Sequence, residues 1–227
     1  MNLDRLSEEL GFEHIEFRHT YQNDPSSSCP GDYGSEFIKK WSTQIVGMVA
    51  NSEGIEIGHV VSFVFLTSYA VNADKDIIEA ADELSQELCN CAKIMYGSDS
   101  LESTEIIERS WDNCLYIDSL FVNPKYRGHN LGALALRRTI EHLDPASLCA
   151  VILRPTAKAL LKDNDPLKKV PDDEASKKLV AFYRQLGFTR FKKTPYMYLD
   201  MERYIYDWRT KNLRSPICRR IRKSRQK

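Results

Sequence analysis

A mixed α/β sheet covered by helices is the fold this sequence predicts. Three observations predict it. β-rich runs alternate with stretches of helical period, the turn Asn51-Ser52-Glu53-Gly54 joins two such runs as a hairpin, and an amphipathic helical stretch interrupts the strand series. In chain order, 13–20 reads as a first strand and 21–34 as a loop rich in Ser, Pro, Asp and Gly. Residues 35–41 read as a short helix capped by Ser35, and 43–50 and 55–67 as the hairpin strands. From 72 to 96, Ile77, Ile78, Ala81, Leu84, Leu88, Cys91 and Met95 recur at intervals of three and four, the pattern of one amphipathic helix. Residues 97–113 are polar and unpatterned, and 115–122 is a buried type of strand ended by Asn123-Pro124. A helix over 130–143 stops at Asp144-Pro145, and 148–153 is a strand. The long connection 155–171 holds a helical stretch at 157–161. A helix over 172–186 ends at Gly187, and 188–192 and 196–201 complete the strands.

Composition excludes several classes. The chain has 227 residues, 42% apolar and 28% charged, with 10 Gly, 9 Pro and a mean hydropathy of −0.44, which is ordinary for a folded domain and unlike collagen-like or disordered chains. The longest apolar-rich stretch, 60–66, falls far short of the roughly 20 residues of a membrane helix, so no membrane partner is expected. The first ten residues lack the basic and apolar segments of a secretory signal, and a cytoplasmic location is the expectation. Six cysteines without a CxxC pair or repeating spacing argue against a metal site and a disulfide framework, and reduced thiols are expected. Cys89 and Cys91 point about 200° apart on a helix, which favours packing over redox pairing.

Net charge is zero, but it divides unevenly. Residues 208–227 hold nine Lys or Arg and no acid, so 1–207 carry 23 basic against 32 acidic side chains. An acidic body favours a cationic partner by steering, and a basic tail favours phosphates. The expected organisation is one domain over 1–207, with a helical insertion at about 70–113, followed by the tail 208–227.

Chemistry concentrates in 115–136. There a buried strand passes through a proline turn into Arg127-Gly128-His129-Asn130-Leu131-Gly132, which opens a helix. Small or left-handed-tolerant residues leave successive N–H groups free to face an anion, and the helix N-terminus adds partial positive charge. The loop matches neither GxGxxG nor GxxxxGK[ST], so a dinucleotide or P-loop reading fails, and a plain strand-to-helix turn stays open on these residues alone. A second segment, Leu179-Val-Ala-Phe-Tyr-Arg-Gln-Leu-Gly-Phe188, follows one strand later.

Together the two segments resemble the GNAT superfamily of acyl-CoA-dependent N-acyltransferases. Val122-Asn123-Pro124 matches its V-x-P turn, and Arg127, Asn130 and Gly132 occupy the three fixed positions of its R/Q-x-x-G-x-G/A loop. Phe182-Tyr183 and Gly187-Phe188 match its later helix. The resemblance covers roughly 43–66 and 115–201. It implies a mostly antiparallel sheet that splays open, flanked by helices, with the insertion between the third and fourth strands. Two departures stand out: Asn130 where the family has Gly, and Lys177 where many members carry Asn. Asn tolerates the left-handed region best among non-glycine residues, so the loop is expected to close on a phosphate.

The resemblance implies acetyl-CoA as co-substrate and no metal. Backbone groups of Phe121 and Val122 would meet the pantetheine arm, and the N–H groups of Gly128, His129, Asn130, Leu131, Gly132 and Ala133 would hold the pyrophosphate, with Arg127 opening the loop. Tyr183 would act as general acid; a phenol stays protonated at neutral pH. By itself, Tyr183 reads as a core tyrosine. For the general base, strand alternation places Asp118 on the face of Val122, with Glu56, His59 or water as rivals. The expected function is acetyl transfer to an amine by direct attack in a ternary complex, with a cationic acceptor favoured by the acidic body. Alternatives are an amine borne on RNA such as aminoacyl-tRNA, reached through the tail, and a non-catalytic acyl-CoA-binding module. The insertion helix is a candidate surface for oligomerisation.

Overall fold

The computed structural model describes residues 3–22, 34–50, 54–97, 112–156, 172–191 and 194–205. The helical stretch expected at 157–161 and the tail 208–227 lie outside them. A helix not expected from the sequence, α1 (Leu3–Leu10), precedes the first strand and buries Leu6 and Ser7. The strands are β1 (His14–Gln22), β2 (Ile38–Met48), β3 (Ile55–Phe65), β4 (Asn113–Val122), β5 (Leu148–Leu153), β6 (Thr189–Arg190) and β7 (Met197–Asp200). They form one seven-stranded sheet in the order β1-β2-β3-β4-β5-β7-β6, antiparallel throughout except for the parallel β4–β5 pair.

Two expectations about the elements change. The helix expected over 35–41 is only α2 (Gly34–Phe37), because Ile38, Lys39 and Lys40 pair with Phe65, Val64 and Phe63 and extend β2. Strand pairing there outweighs local helical propensity. A short helix not expected from the sequence, α3 (Thr67–Asn72), comes first, and the single helix expected over 72–96 is two, α4 (Ile77–Leu84) and α5 (Gln86–Tyr96). Asp76 caps α4 by accepting the Ile78 N–H at 2.7 Å, and Ser85, in extended backbone, caps α5 by accepting the Leu88 N–H at 3.2 Å. The apolar period survives these breaks because each cap replaces a lost helical partner. Helices α6 (Leu131–His142) and α7 (Asp172–Gln185) follow, and Gly187 takes the left-handed φ of 96° expected of it.

The sheet separates two apolar layers. On one face Ile45, Val60, Leu115, Ile117, Val151 and Leu153 pack with Leu131, Ala135, Leu136 and Ile140 of α6 and Tyr183 of α7. On the other, Phe37, Ile38, Phe65, Cys114, Tyr116 and Ile152 pack beneath the insertion through Ile77, Ala81, Leu88, Cys91, Ala92 and Met95. All six residues of β5 are buried, as a central strand covered on both faces requires. Among the described residues no helix is long and apolar enough to cross a membrane.

Candidate functional site

The site begins where two parallel strands part. β4 and β5 pair only from Asn113–Leu148 to Ile117–Leu153, after which β5 ends and β4 runs on to Val122. Backbone groups on that edge of β4 therefore open toward a space with no neighbouring strand among the described residues. Antiparallel pairing alternates the direction in which backbone groups point. The Phe121 carbonyl points to β3: a Cβ placed on Gly58 would lie 2.3 Å from its oxygen, and the Asn123 N–H donates to the Ile57 carbonyl at 2.8 Å. The groups turned into the opening are thus those of Leu120 and Val122, which corrects the expectation for Phe121. Of these, the Val122 carbonyl already accepts Arg127 Nε at 2.9 Å. Leu120 is a residue that sequence reasoning missed; only the strand register reveals it.

The loop after β4 is built to expose donors. Asn123 accepts the Lys125 N–H at 3.1 Å and starts a short 3₁₀ turn, after which Arg127 is extended. Gly128 and Asn130 both take positive φ, 88° and 57°, and Asn130 stands in the left-handed region before the first residue of α6. The expectation that Asn130 supports this geometry holds. The first N–H groups of α6, on Leu131, Gly132 and Ala133, have no intrahelical acceptor and carry the positive end of the helix dipole. His129 lies on the same loop with Nδ1 3.7 Å from a carboxylate oxygen of Glu9 in α1. A Cβ on Gly132 would meet Leu120, Val122 and Phe182 at 3.5 to 3.8 Å, so the helix start sits against the end of β4 and against α7. An extended polar chain along the open edge of β4, ending in a diphosphate at this loop, fits these donors.

Tyr183 stands on α7 next to Phe182, the residue in range of Gly132. Its ring is buried and packs edge-on between Phe182 (5.1 Å) and Phe188 (5.6 Å). Burial raises its phenol to about 12, so it stays protonated across the neutral range. Lys177, on the same helix, is exposed.

Asp118 lies on the other face, for a reason the sequence conceals. It is the extra residue of a β-bulge: Val61 pairs with Ser119 and Ser62 with Ile117, leaving Asp118 unpaired between them. The bulge shifts the alternation, so Leu120 and Val122 pack in the layer of Leu115 and Ile117. Asp118 instead faces Glu87 of α5 and Lys40 of β2, which corrects the expectation that it shares the face of Val122. Although much of it is open to solvent, partial desolvation and the charge of Glu87 raise its carboxyl above the usual value, and Lys40 opposes them.

Glu87 organises this face. Its Oε1 accepts from the Tyr116 hydroxyl at 3.0 Å and the Tyr196 hydroxyl at 2.8 Å, while Oε2 accepts from Arg154 at 3.1 Å. Tyr116 stands on β4, Arg154 just beyond β5 and Tyr196 just before β7, so α5 links the three strands around the opening. Desolvation, reinforced by the Glu87 carboxylate, holds both phenols above their ordinary range. No spacing in the sequence links 87 to 116, 154 and 196. The rivals for the base pair with each other, His59 Nδ1 lying 3.0 Å from Glu56 Oε1, and His59 is in register with Phe121, nearer the loop than Asp118 is. Among the described residues no cluster of three or more His, Cys, Asp or Glu could hold a metal ion.

Three solved structures resemble the fold. The NatC complex bound to Gag peptide and CoA shares 15% identity over 70% of each chain, with a TM-score of 0.37. A mutant of an agmatine N-acetyltransferase, in its apo form, shares 16% identity over 65% of this chain and 58% of its own, with a TM-score of 0.34. A Drosophila melanogaster polyamine N-acetyltransferase that forms N-acetylagmatine shares 16% identity over 66% of this chain and 57% of its own, with a TM-score of 0.33. No curated protein sequence matches. The family described as Acetyltransferase (GNAT) family matches residues 3–162, well over half of the sequence, and the chain belongs to that family.

Proposed function

We propose that the chain transfers an acetyl group from acetyl-CoA to an amine by direct attack, with both substrates bound together. The observation that carries this is the parting of β4 from β5 immediately before a loop with two left-handed residues and the bare start of α6. Acetyl-CoA, as co-substrate, supplies the acyl group as an activated thioester. The N–H groups of Leu120 and Val122 line the opening and hold the pantetheine arm. The N–H groups from Gly128 to Ala133 bind the diphosphate through helix-terminal donors, a geometry that favours doubly charged oxyanions.

The opening joins the two faces of the sheet, and the two titratable groups stand on opposite sides of it. Asp118, beside Glu87, takes the proton from the attacking amine, which must be neutral to attack. Tyr183 gives its proton to the departing thiolate. One C–N bond forms, one C–S bond breaks, and the two proton transfers balance.

Calorimetric titration of acetyl-CoA into the wild type and Gly132→Glu tests the reading. Because Gly132 is in contact range of Leu120, Val122 and Phe182, a glutamate there crowds the end of β4 and sets a negative charge beside the loop donors. Wild type binds and the variant loses affinity by about 100-fold or more, near 2.7 kcal/mol. A folded wild type that does not bind acetyl-CoA would sink the proposal.

A further inference from the structure

We infer that the acceptor is an amine carrying a carboxylate within a few bonds, such as a free amino acid, and that a cavity beside Glu87 receives that carboxylate. The inference rests on the acetyl-transfer reading above and reverses the cationic acceptor that the overall charge suggests. The cavity is an open surface cleft of about 440 Å³ between α5, the segment after β5 and the segment before β7. A small polar molecule fits a space of this size.

Among the described residues that line it, the charged ones are cations, Lys93 and Arg154. Ile94 and Pro195 supply apolar wall, and Asn90 and Tyr196 complete the polar part used here. Asn90 Oδ1 accepts from Gln86 Nε2 at 3.2 Å, one turn earlier on α5. Arg154 donates through Nη1 to Glu87 Oε2 at 3.1 Å, which ties its guanidinium to α5.

Glu87, the carboxylate that Arg154 and Tyr196 of this lining bond, is not offered to a cation. Both oxygens of Glu87 are engaged, one by two phenols and the other by Arg154, so an ammonium group entering the cavity meets Lys93 and Arg154 rather than a free acid. Asp118, whose carboxyl feels the charge of Glu87, is the carboxylate to which the proposed mechanism brings the amine. An acceptor with its amine toward Asp118 and its carboxylate toward Lys93 and Arg154 satisfies both ends.

Matched acceptors test this in a thiol-release assay with acetyl-CoA: arginine, its amide and agmatine, then ornithine and putrescine. The acids are expected to exceed their decarboxylated or amidated partners at least 10-fold in kcat/KM. Lys93 is exposed, so Lys93→Glu is expected to fold. It should raise KM for the acids about 10-fold, with a smaller change in kcat, and remove or invert the preference, while Lys93→Met gives an intermediate result. Equal turnover of acids and amines, better turnover of the amines, or a preference unmoved by Lys93→Glu would overturn the inference and leave acetyl transfer standing. Release of no thiol with any acceptor, despite acetyl-CoA binding, would overturn both.

Discussion

The two faces of the sheet carry the two halves of the proposed reaction, and they are built on opposite principles. The face under α6 and α7 presents backbone: the open edge at Leu120 and Val122, the left-handed pair Gly128 and Asn130, and the start of α6. The face under the insertion presents side chains: Glu87 from α5, Tyr116 and Asp118 from β4, Arg154 beyond β5 and Tyr196 before β7. Backbone donors recognise what is constant in a co-substrate, a diphosphate and an extended amide chain. Side chains brought together from distant segments are free to change with the acceptor, as the separation of site from fold leads one to expect.

Substitutions with opposite signatures would break or sharpen this division. The largest expected effect is on the backbone-rich face. Tyr183→Phe keeps the ring between Phe182 and Phe188 and removes only the hydroxyl, so stability and acetyl-CoA affinity should stay within about 2-fold. If the phenol donates the proton, kcat falls by about 10²- to 10⁴-fold. An unchanged kcat would make Tyr183 a packing residue.

On the side-chain face the next effect is smaller, because water can replace a surface base. Asp118→Asn is expected to lower kcat/KM for the amine by about 10²-fold at neutral pH with acetyl-CoA binding unaffected. The pH profile carries the sign. Asp118 works deprotonated, and its carboxyl titrates above the usual value of 3.8 because it is partly desolvated and faces Glu87. Activity therefore falls as pH drops through that raised value, and this acid limb disappears in Asp118→Asn. A limb that persists in the variant would belong to another group.

The same division decides what the sequence can show. Asn130, Gly132 and Gly187 are legible because a left-handed turn, a close approach and a helix stop each demand particular residue types at fixed spacing in a short segment, whereas Val122 and Tyr183 are picked out only by the resemblance of their motifs to a family. Phe121 stands in for Leu120 in a sequence reading because backbone direction depends on register with β3, which no local pattern encodes. Simple alternation puts Asp118 on the wrong face because the bulge that turns it is a property of the β3–β4 pair. Glu87 looks like any acid on the polar side of an amphipathic helix; only folding of the insertion over the sheet brings it to Tyr116, Tyr196 and Arg154. The helix α1 escapes notice because its pattern, Leu3, Leu6 and Leu10 at helical spacing, spans only eight residues, too few to form a stable helix without packing against the sheet.

The smallest effect concerns the place where the loop departs from its family's glycine. Asn130 holds φ 57° and ψ 17°, and its side chain makes no capping hydrogen bond to α6. Its contribution is therefore conformational: it tolerates the left-handed well that positions the first N–H groups of the helix. Asn130→Gly should leave the affinity for acetyl-CoA within about 2-fold, because glycine adopts the same φ without strain. Asn130→Ala should cost about 1 kcal/mol in chemical denaturation, the order of the left-handed penalty for a residue with a Cβ and no local polar compensation. Its loss of acetyl-CoA affinity should be several-fold and should not change the preference among amines, since the acceptor face is untouched. If instead Asn130→Gly weakened acetyl-CoA binding as much as Asn130→Ala, the amide itself would be a contact. The backbone-rich face would then depend on a side chain at its centre, and the division between the two faces would lose its sharpest example.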